Sequence, residues 1–410
     1  MPTPLPRGMR LGTAEPADAV AAFAARKLLQ PTFNWHDVYE AEHASRFMVA
    51  GVAQADVLRL FREALQEPLA QGQSLADFAK ALKPQLQAKG WWGDVEITDP
   101  ASGEIRTTRF NDARLQLIYD VNLRQSYAAG RWASIQRNKS RLPLVMYRTM
   151  RDERVRASHA AWDGLVLPAG DAFWQQHYPP NGWRCRCTAF ALSEKDLQKR
   201  QARGERIQTE APPEQLVPYR DPRTGEVVQV PLGVDPGFAY NPGMAQVREA
   251  ADRLRDALDQ ADPELARAQV QQMLRSSNFK RFVGKPVDGE VLPVALMPVD
   301  QAEALRAKTH TVMLSSDTLG KQARQHPDVS ADDYAWAQMA IDAGLRIQDG
   351  PQAAIYVLER DGWVAVVKAT RTGRGLFLTS LRRLSNREAR KDREVQRLLG
   401  KGDQSDGGQS

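Results

Sequence analysis

The two cysteines of this chain lie two residues apart, in the run Cys185-Arg186-Cys187. In an extended strand successive side chains alternate between faces, so both thiols would emerge on one side and Arg184 and Arg186 on the other. A disulfide across this spacing would need strained geometry. The spacing therefore favours two sulfurs that serve one centre.

Two histidines precede the cysteine pair closely enough to complete such a centre. Zinc in structural sites takes four ligands, commonly thiolates and imidazoles. The sequence therefore predicts a Cys2His2 zinc site formed by His159, His177, Cys185 and Cys187, with Asp163 as an alternative ligand to His177. Four protein ligands would close the site and leave no open catalytic position.

The same residues also fit a site that holds no metal. Free thiols pack as small hydrophobic groups. In this interpretation His177 fills space beside Tyr178, and His159 is a hydrogen-bonded helix residue. The residue types alone leave both interpretations open.

Composition excludes several classes of protein. Two cysteines in 410 residues cannot form the disulfide framework of a secreted domain, so we expect a reducing compartment. No apolar run approaches the roughly 18 residues of a membrane span, and the opening MPTPLPRGMRLGTAEP lacks the apolar core of a secretory signal. The length favours two or three domains.

The net charge of +6 is unevenly distributed. Residues 114–200 contain 15 Lys and Arg against 7 Asp and Glu, and residues 368–401 contain 11 against 3. Such segments suit contact with a polyanion such as nucleic acid, although solvated helical faces are a more common cause of charged runs.

Hydrophobic periodicity predicts a multidomain α+β protein. Residues 1–112 form a helical N-terminal region that ends in a β-hairpin, built from VEIT and EIRTTRF. A capping box at Ser74 opens one of these helices, and Pro84 is expected to end or kink it. These helices have apolar faces to bury and no residues that suggest catalysis.

Residues 113–243 form a small α+β module. A helix begins at Asn111 and reaches about Arg137, with apolar residues along one stripe. The strand LVMYRTM, the segment that carries His159 and a strand at the cysteine pair follow it. A second hairpin is predicted at 219–230.

The remaining chain divides into three parts. Residues 244–284 are predicted to be a helical linker, more spacer than core. Residues 285–384 alternate strand-like apolar runs with a helix near 331–344, which indicates a separate α+β domain with a small antiparallel sheet. Residues 385–410 are predicted to be a basic helix and a disordered tail.

Several phrases in residues 15–245 resemble one known family. RVRASHAAWDG, AFW and YPPNGWRCRC, together with WHDVYEAEHASRFMVAG, GWWGDV and GVDPGFAYNPG, resemble the Mu-type minor head, or head morphogenesis, proteins of tailed bacteriophages. The resemblance implies a minor capsid protein of the phage head that acts in head assembly or DNA delivery. It also implies the portal or major capsid protein as partner, a virion location and assembly in the bacterial cytoplasm. Its motif positions include His159, Asp163, Cys185 and Cys187.

Residues 285–384 contain side chains suited to phosphodiester cleavage. His310 could act as general base, Lys321 or Arg371 could neutralise a phosphorane, and Thr379 or Ser380 could position the phosphate. HTVMLSSDTLGKQ, VVKATRTG and FLTSLRR resemble phage-borne nuclease-like domains of the barnase, colicin and RelE-like superfamily. The resemblance implies a metal-independent ribonuclease, whereas ordinary strand hydroxyls and a hydrogen-bonded histidine would explain the same residues structurally.

Three functions are compatible with the sequence. The leading prediction is a minor capsid protein in head assembly. The alternative is a virion-delivered effector whose C-terminal domain cleaves RNA. A third is a packaging factor that binds DNA through phosphate contacts, with steep salt dependence.

Overall fold

A computed structural model describes residues 16–99, 102–384 and 396. The chain divides into two compact units, Met1–Gln246 and Val247–Ser410. Both combine helices with small sheets, which confirms the predicted multidomain α+β fold. The predicted basic helix and tail lie outside the described residues, apart from position 396.

The helices of the first unit are α1 (Ala17–Ala24), α2 (Ala55–Gln71), α3 (Leu75–Ala88), α4 (Asp112–Asn138), α5 (Ala157–Ala161), α6 (Phe173–Gln176) and α7 (Glu194–Ala202), with 3-10 turns at Trp35–Asp37 and Glu40–Ala44. Its strands are β1 (Leu28–Leu29), β2 (Arg46–Phe47), β3 (Gly93–Thr98), β4 (Ile105–Phe110), β5 (Leu144–Arg148), β6 (Val166–Pro168), β7 (Thr188–Leu192), β8 (Leu216–Arg220) and β9 (Val227–Pro231).

The strands of the first unit form four separate sheets in the described residues. Strands β3 and β4 pair as the predicted hairpin, and β8 and β9 form the second one. Strands β1 and β2 make a short parallel pair. The central sheet is antiparallel in the order β6-β5-β7. Along the chain, His159 lies between β5 and β6, and the cysteine pair lies between β6 and β7.

Helix α4 takes part in two hydrophobic cores. Asn111 caps it by accepting a hydrogen bond from the Arg114 backbone N–H at 3.0 Å, as its position before the helix suggests. The first half of α4 buries Leu115 among the helices α2 and α3. The second half buries Trp132 against the β6-β5-β7 sheet. At about 1.5 Å per residue, a helix of this length is long enough to serve both cores.

Helix α3 continues through Pro84 and ends at Ala88, so of the two predicted effects of Pro84, a helix end or a kink, the helix end does not occur. Its capping box forms as predicted, with Ser74 and Asp77 bonding each other's backbone N–H. Leu82 and Leu86, on either side of the proline, are fully buried. Because tertiary burial supplies most helical stability, their packing outweighs the hydrogen bond that proline cannot donate.

The second unit continues from α8 (Pro242–Gln260), which contains the boundary. Its further elements are α9 (Pro263–Arg275), α10 (Ser277–Gly284), β10 (Val291–Leu296), α11 (Val299–Ala304), β11 (Thr311–Ser315), α12 (Ser316–Gln325), α13 (Ala335–Ala343), β12 (Leu345–Gln348), β13 (Ala353–Leu358), β14 (Trp363–Ala369) and β15 (Leu376–Arg383), with a 3-10 turn at Asp332–Tyr334.

One six-stranded sheet organises the second unit, in the order β10-β11-β15-β14-β13-β12. Neighbouring strands are antiparallel except β11 and β15, which are parallel and pair Val312 with Leu376. The sheet is therefore larger than the small antiparallel sheet of the sequence prediction. Strand β12 has only four residues, in which Leu345 and Ile347 alternate with polar residues, and so short an alternation is a weak signal of a strand.

The end of α8 and the helices α9 and α10 pack into this unit, although 244–284 is predicted from the sequence to be a spacer. Helix α9 buries Ala266, Val270 and Leu274, and α10 buries Phe279 and Phe282, in the same core as the sheet. The buried residues of α9 recur every four positions, which is the stripe of an amphipathic helix. Polar and charged residues between these positions obscured that stripe in the sequence.

Among the described residues, no helix is both long enough and apolar enough to cross a bilayer.

Candidate metal centre

The cysteine pair lies just before strand β7, in irregular backbone rather than in the strand itself. A turn precedes it, in which the Cys185 N–H donates to the Gly182 carbonyl at 3.1 Å and Arg184 adopts a positive φ of 59°. His159 lies in the short helix α5. The central sheet brings these two segments together because β7 pairs with β5, the strand that leads towards α5.

His159 and the two cysteines form a compact cluster. The His159 Nδ1 lies 3.6 Å from the Cys187 Sγ and 3.8 Å from the Cys185 Sγ. All three ligand atoms lie within 4.8 Å of one another. Zinc bonds of about 2.3 Å to sulfur and 2.0 Å to nitrogen, at a tetrahedral angle, separate such atoms by about 3.5 Å. The spacing of the three atoms therefore fits one zinc ion.

The imidazole of His159 is oriented for this role. Its Nε2 lies 2.7 Å from the carbonyl oxygen of Gly233, which can only accept, so Nε2 carries the proton and Nδ1 presents its lone pair to the sulfurs. Metal-binding histidines commonly have such a carbonyl partner on the second ring nitrogen. The ring also stacks on Trp162, with centroids 5.3 Å apart.

Gly233 is required at this position by its backbone conformation and its neighbours. Its φ is +92°, and an added Cβ would lie 2.9 Å from side-chain atoms of Ser158 and Trp162. A larger residue would push the carbonyl away from His159. Sequence analysis missed this contribution, since the backbone oxygen comes from 74 positions further along the chain.

Asp235 fixes the same loop to the cysteine turn. Its carboxylate forms a bidentate ion pair with Arg156, at 2.6 and 2.9 Å, and accepts a hydrogen bond from the Trp183 backbone N–H at 2.9 Å. The carboxylate lies so close to Gly182 that an added Cβ there would be 2.2 Å from its oxygen. Helix α5, the cysteine turn and the 233–237 loop are thus held as one assembly.

The two thiols do not behave alike. The hydrogen bond from Cys187 lowers the pKa of the Cys185 thiol to about 4, and His159 acts in the same direction. The same hydrogen bond raises the pKa of Cys187, which donates the proton. A small cavity of about 30 Å³ adjoins the cluster and is lined by Arg154, Arg156, Arg184 and Arg186 among others. Arg156 and Arg186 are ion-paired with Asp235 and Asp152, which offsets part of this positive charge, and the charge of Arg154 and Arg184 favours thiolate over thiol.

The structure does not bring His177 or Asp163 into the cluster. The His177 ring stacks on Phe173 with centroids 4.4 Å apart and meets Trp162 edge to face, as the interpretation without metal describes. Burial lowers its pKa, so it stays neutral. Asp163 accepts hydrogen bonds from the Thr149 N–H at 2.8 Å and from the Arg151 Nε at 2.8 Å. Both side chains have structural contacts of their own.

The five residues assigned to phosphodiester cleavage are not gathered around one cavity. Lys321 and Thr379 line a cavity of about 550 Å³ in the second unit, and His310, Arg371 and Ser380 are not among its lining residues. The Nδ1 of His310 lies 3.5 Å from Asp259 instead. The ribonuclease interpretation stays a prediction, and its predicted general base, His310, is not among the residues that line this cavity.

The fold and the cluster together define a multidomain α+β protein whose small central module is built around two cysteines and one histidine. The family described as Phage Mu protein F like protein matches residues 60–190, which include that cluster. The putative capsid assembly protein F of Escherichia phage Mu is 32% identical over 317 residues, which cover 72% of this chain and 71% of that protein.

The Mu-like prophage FluMu F protein of Haemophilus influenzae is 32% identical over 250 residues, or 58% of this chain and 59% of that protein. No solved structure matches. This chain belongs to the phage Mu protein F-like family, which confirms the Mu-type resemblance of its sequence.

Proposed function

We propose that this chain acts in assembly of the head of a tailed bacteriophage. The observation that carries this function is the identity of 32% with a putative capsid assembly protein, spread over more than two thirds of both chains. A match of that extent covers whole domains and not one shared motif. The family match covers residues 60–190, which include part of the N-terminal helical region and the segment that carries His159 and the cysteine pair.

The finer role proposed here is that of a minor capsid protein in the phage head, in contact with the portal or the major capsid protein. Hydrogen bonds and an ion pair join α5, the cysteine turn and the 233–237 loop. Such contacts suit a component that must keep its shape while neighbouring proteins assemble on it. Contact with packaged nucleic acid remains a prediction that rests on the basic residues of 114–200 and 368–401.

Deleting the gene from its phage is expected to abolish filled heads, because a required assembly protein has no substitute in the particle. Electron microscopy of lysates and plaque titre measure the outcome. Complementation with the wild-type gene, or with the surface variant Lys195→Ala on α7, is expected to restore both. Normal filled heads in the deletion strain contradict the proposal.

Mass spectrometry of purified particles distinguishes a protein that stays in the virion from one that acts only during assembly. A minor capsid protein is expected among the virion proteins at low abundance. If heads fail without the protein and mature particles lack it, the protein acts only during assembly, and its place in the virion is refuted.

We further infer that His159, Cys185 and Cys187 hold one zinc ion with a structural role. The ligand spacing, the carbonyl partner on His159 and the surrounding arginines support this assignment. Zinc would join α5 to the segment before β7 and add a cross-link that the small β6-β5-β7 sheet lacks. A tetrahedral zinc site takes four ligands, and the described residues supply three of them, so the proposal leaves the fourth position to solvent or to a neighbouring protein.

A further inference from the structure

A second cavity lies in the first unit, beside the cysteine turn, which contributes Trp183 and Arg184 to its lining. Its volume is about 510 Å³, within the range of roughly 300–1,000 Å³ that is common for sites of small organic ligands. It is lined by the end of the α1 segment, by one face of α4 and by residues around Trp183 and Phe238. None of the functions considered so far uses it.

The charge of the lining is one-sided. It contains the arginines Arg26, Arg46, Arg109, Arg114 and Arg184 and, among the described residues, no aspartate or glutamate. Arg46 pairs with Glu42 and Arg109 with Asp94, both from outside the lining. Within the described part of the chain, the other three arginines have no carboxylate partner. An anion would therefore meet a positive potential that the protein does not itself neutralise.

Arg26 is the most unusual of the five. It is only 5% exposed, and its Nη1 donates a hydrogen bond to the Asn122 Oδ1 at 3.2 Å. Its buried Nε has no hydrogen-bond partner in the described structure. Burial lowers the pKa of Arg26. A buried charge is normally paired, and an unpaired donor of a cation is costly to retain.

Gln125 lines the same cavity. Gln125 is also 5% exposed, and its buried Oε1 accepts no hydrogen bond in the described structure. Residues 122 and 125 are three positions apart on α4, so Gln125 shares a helix face with the residue that binds Arg26. The cavity therefore offers one charged donor and one neutral acceptor together.

Aromatic rings form the opposite wall. Trp35 and Trp183 meet edge to face with centroids 5.9 Å apart, and Trp183 meets Phe238 at 5.1 Å. Trp183 is 37% exposed, so this wall reaches the surface. His43 adds no charge, because burial lowers its pKa to about 3 and the Arg26 charge acts in the same direction.

We propose that this cavity binds the carboxy-terminal residue of a partner polypeptide, with the carboxylate on Arg26, the amide N–H on Gln125 and an apolar side chain against the aromatic wall. The planar guanidinium suits a carboxylate. A peptide terminus is the simplest group that combines a carboxylate, a nearby N–H donor and an apolar body. A phosphate of a nucleic acid backbone suits the site less well, because it carries no N–H donor beside it and would leave the Gln125 Oε1 without a partner.

Titration of the full chain with short peptides tests the proposal. Acetyl-Gly-Ala-Leu with a free carboxylate is expected to bind, and the same peptide with a terminal amide is expected to bind at least about tenfold more weakly. Isothermal calorimetry measures the affinity, and the fluorescence of Trp35 and Trp183 reports contact with the wall. Acetyl-leucine and inorganic phosphate serve as two further probes.

Each probe separates one explanation from another. Acetyl-leucine binding together with loss of binding for the tripeptide would assign the cavity to a free small acid and overturn the peptide claim. Phosphate binding as tightly as the peptide would show a general anion site and overturn it as well. Equal affinity for acid and amide, or no binding at millimolar peptide, also contradicts the proposal.

Variants connect the binding to the named residues. Arg26→Met is expected to lower peptide affinity at least about tenfold, whereas Arg109→Met, which removes an exposed and ion-paired arginine of the same lining, is expected to change it little. Gln125→Glu places a carboxylate near Arg26 and is expected to block the site while the fold is kept, which guards against a misfolded Arg26→Met. Unchanged affinity in Gln125→Glu refutes the assignment of Arg26 and Gln125.

Discussion

Cys185→Ser is expected to remove bound zinc and to lower the melting temperature of the first unit by about 10 °C, since loss of a structural metal costs about 4 kcal/mol or more and each kcal/mol shifts the melting temperature by about 2–4 °C in domains of this size. Serine keeps the shape of the side chain and removes the thiolate. Elemental analysis of protein purified without added metal gives the zinc content, and thermal unfolding gives the shift. A chelator is expected to have the same effect on the wild-type protein.

His177→Gln provides the matched control. This substitution removes a buried imidazole near the cluster that the structure places against Phe173 and Trp162. It is expected to leave the zinc content at one per chain, with a smaller loss of stability from altered packing. Zinc lost in His177→Gln would restore the four-ligand site of the sequence prediction, and wild-type protein without zinc would refute the metal centre altogether.

The sequence revealed part of this centre for a physical reason. Two thiols separated by one residue stay close in almost any extended backbone, so Cys185 and Cys187 could be assigned to one centre before the fold was known. His159 could be proposed because it is a ligand type close by in the sequence. The orientation of its ring could not be predicted, because the Gly233 carbonyl reaches it only through the fold.

The assignment of His177 shows where residue type stops being informative. A histidine between aromatic residues can bind metal or fill a core, and the choice depends on where its helix packs. Here α6 places the ring on Phe173, inside the hydrophobic core of the module. The neighbouring cavity that contains Arg26 was equally hidden, since its lining comes from segments separated by up to about two hundred residues.

The fold itself was more predictable where local signals agree with tertiary packing. Caps at Ser74 and Asn111 mark helix starts that the structure retains. Pro84 is the opposite case, because a local signal for helix termination is overridden by the burial of Leu82 and Leu86. The prediction of a spacer at 244–284 missed the packing of these helices for a related reason. Polar and charged residues are prominent in their composition, although their apolar stripes decide how they pack.

Gly130→Ala is expected to destabilise the first unit by about 2 kcal/mol, as overpacking of a tight contact usually does. Gly130 lies in α4 where α1 crosses it, and an added Cβ would be 2.6 Å from the Ala19 backbone nitrogen and 2.9 Å from the Asp18 carbonyl carbon. Backbone atoms cannot move aside as a flexible side chain can, so the two helices must separate. Hydrogen exchange in residues 17–24 is expected to accelerate, since α1 would lose its protection first.

Gly320→Ala is the matched control with the opposite sign. Gly320 also lies inside a helix, α12, but nothing lies within 4 Å of the Cβ that alanine would add. There the higher helix propensity of alanine acts alone and is expected to stabilise the second unit by up to about 1 kcal/mol. The same propensity gain is present at Gly130, so the difference between the two variants isolates the α1–α4 contact. Equal effects in both positions, or unchanged exchange in residues 17–24, would mean that the two helices are not in close contact at Gly130.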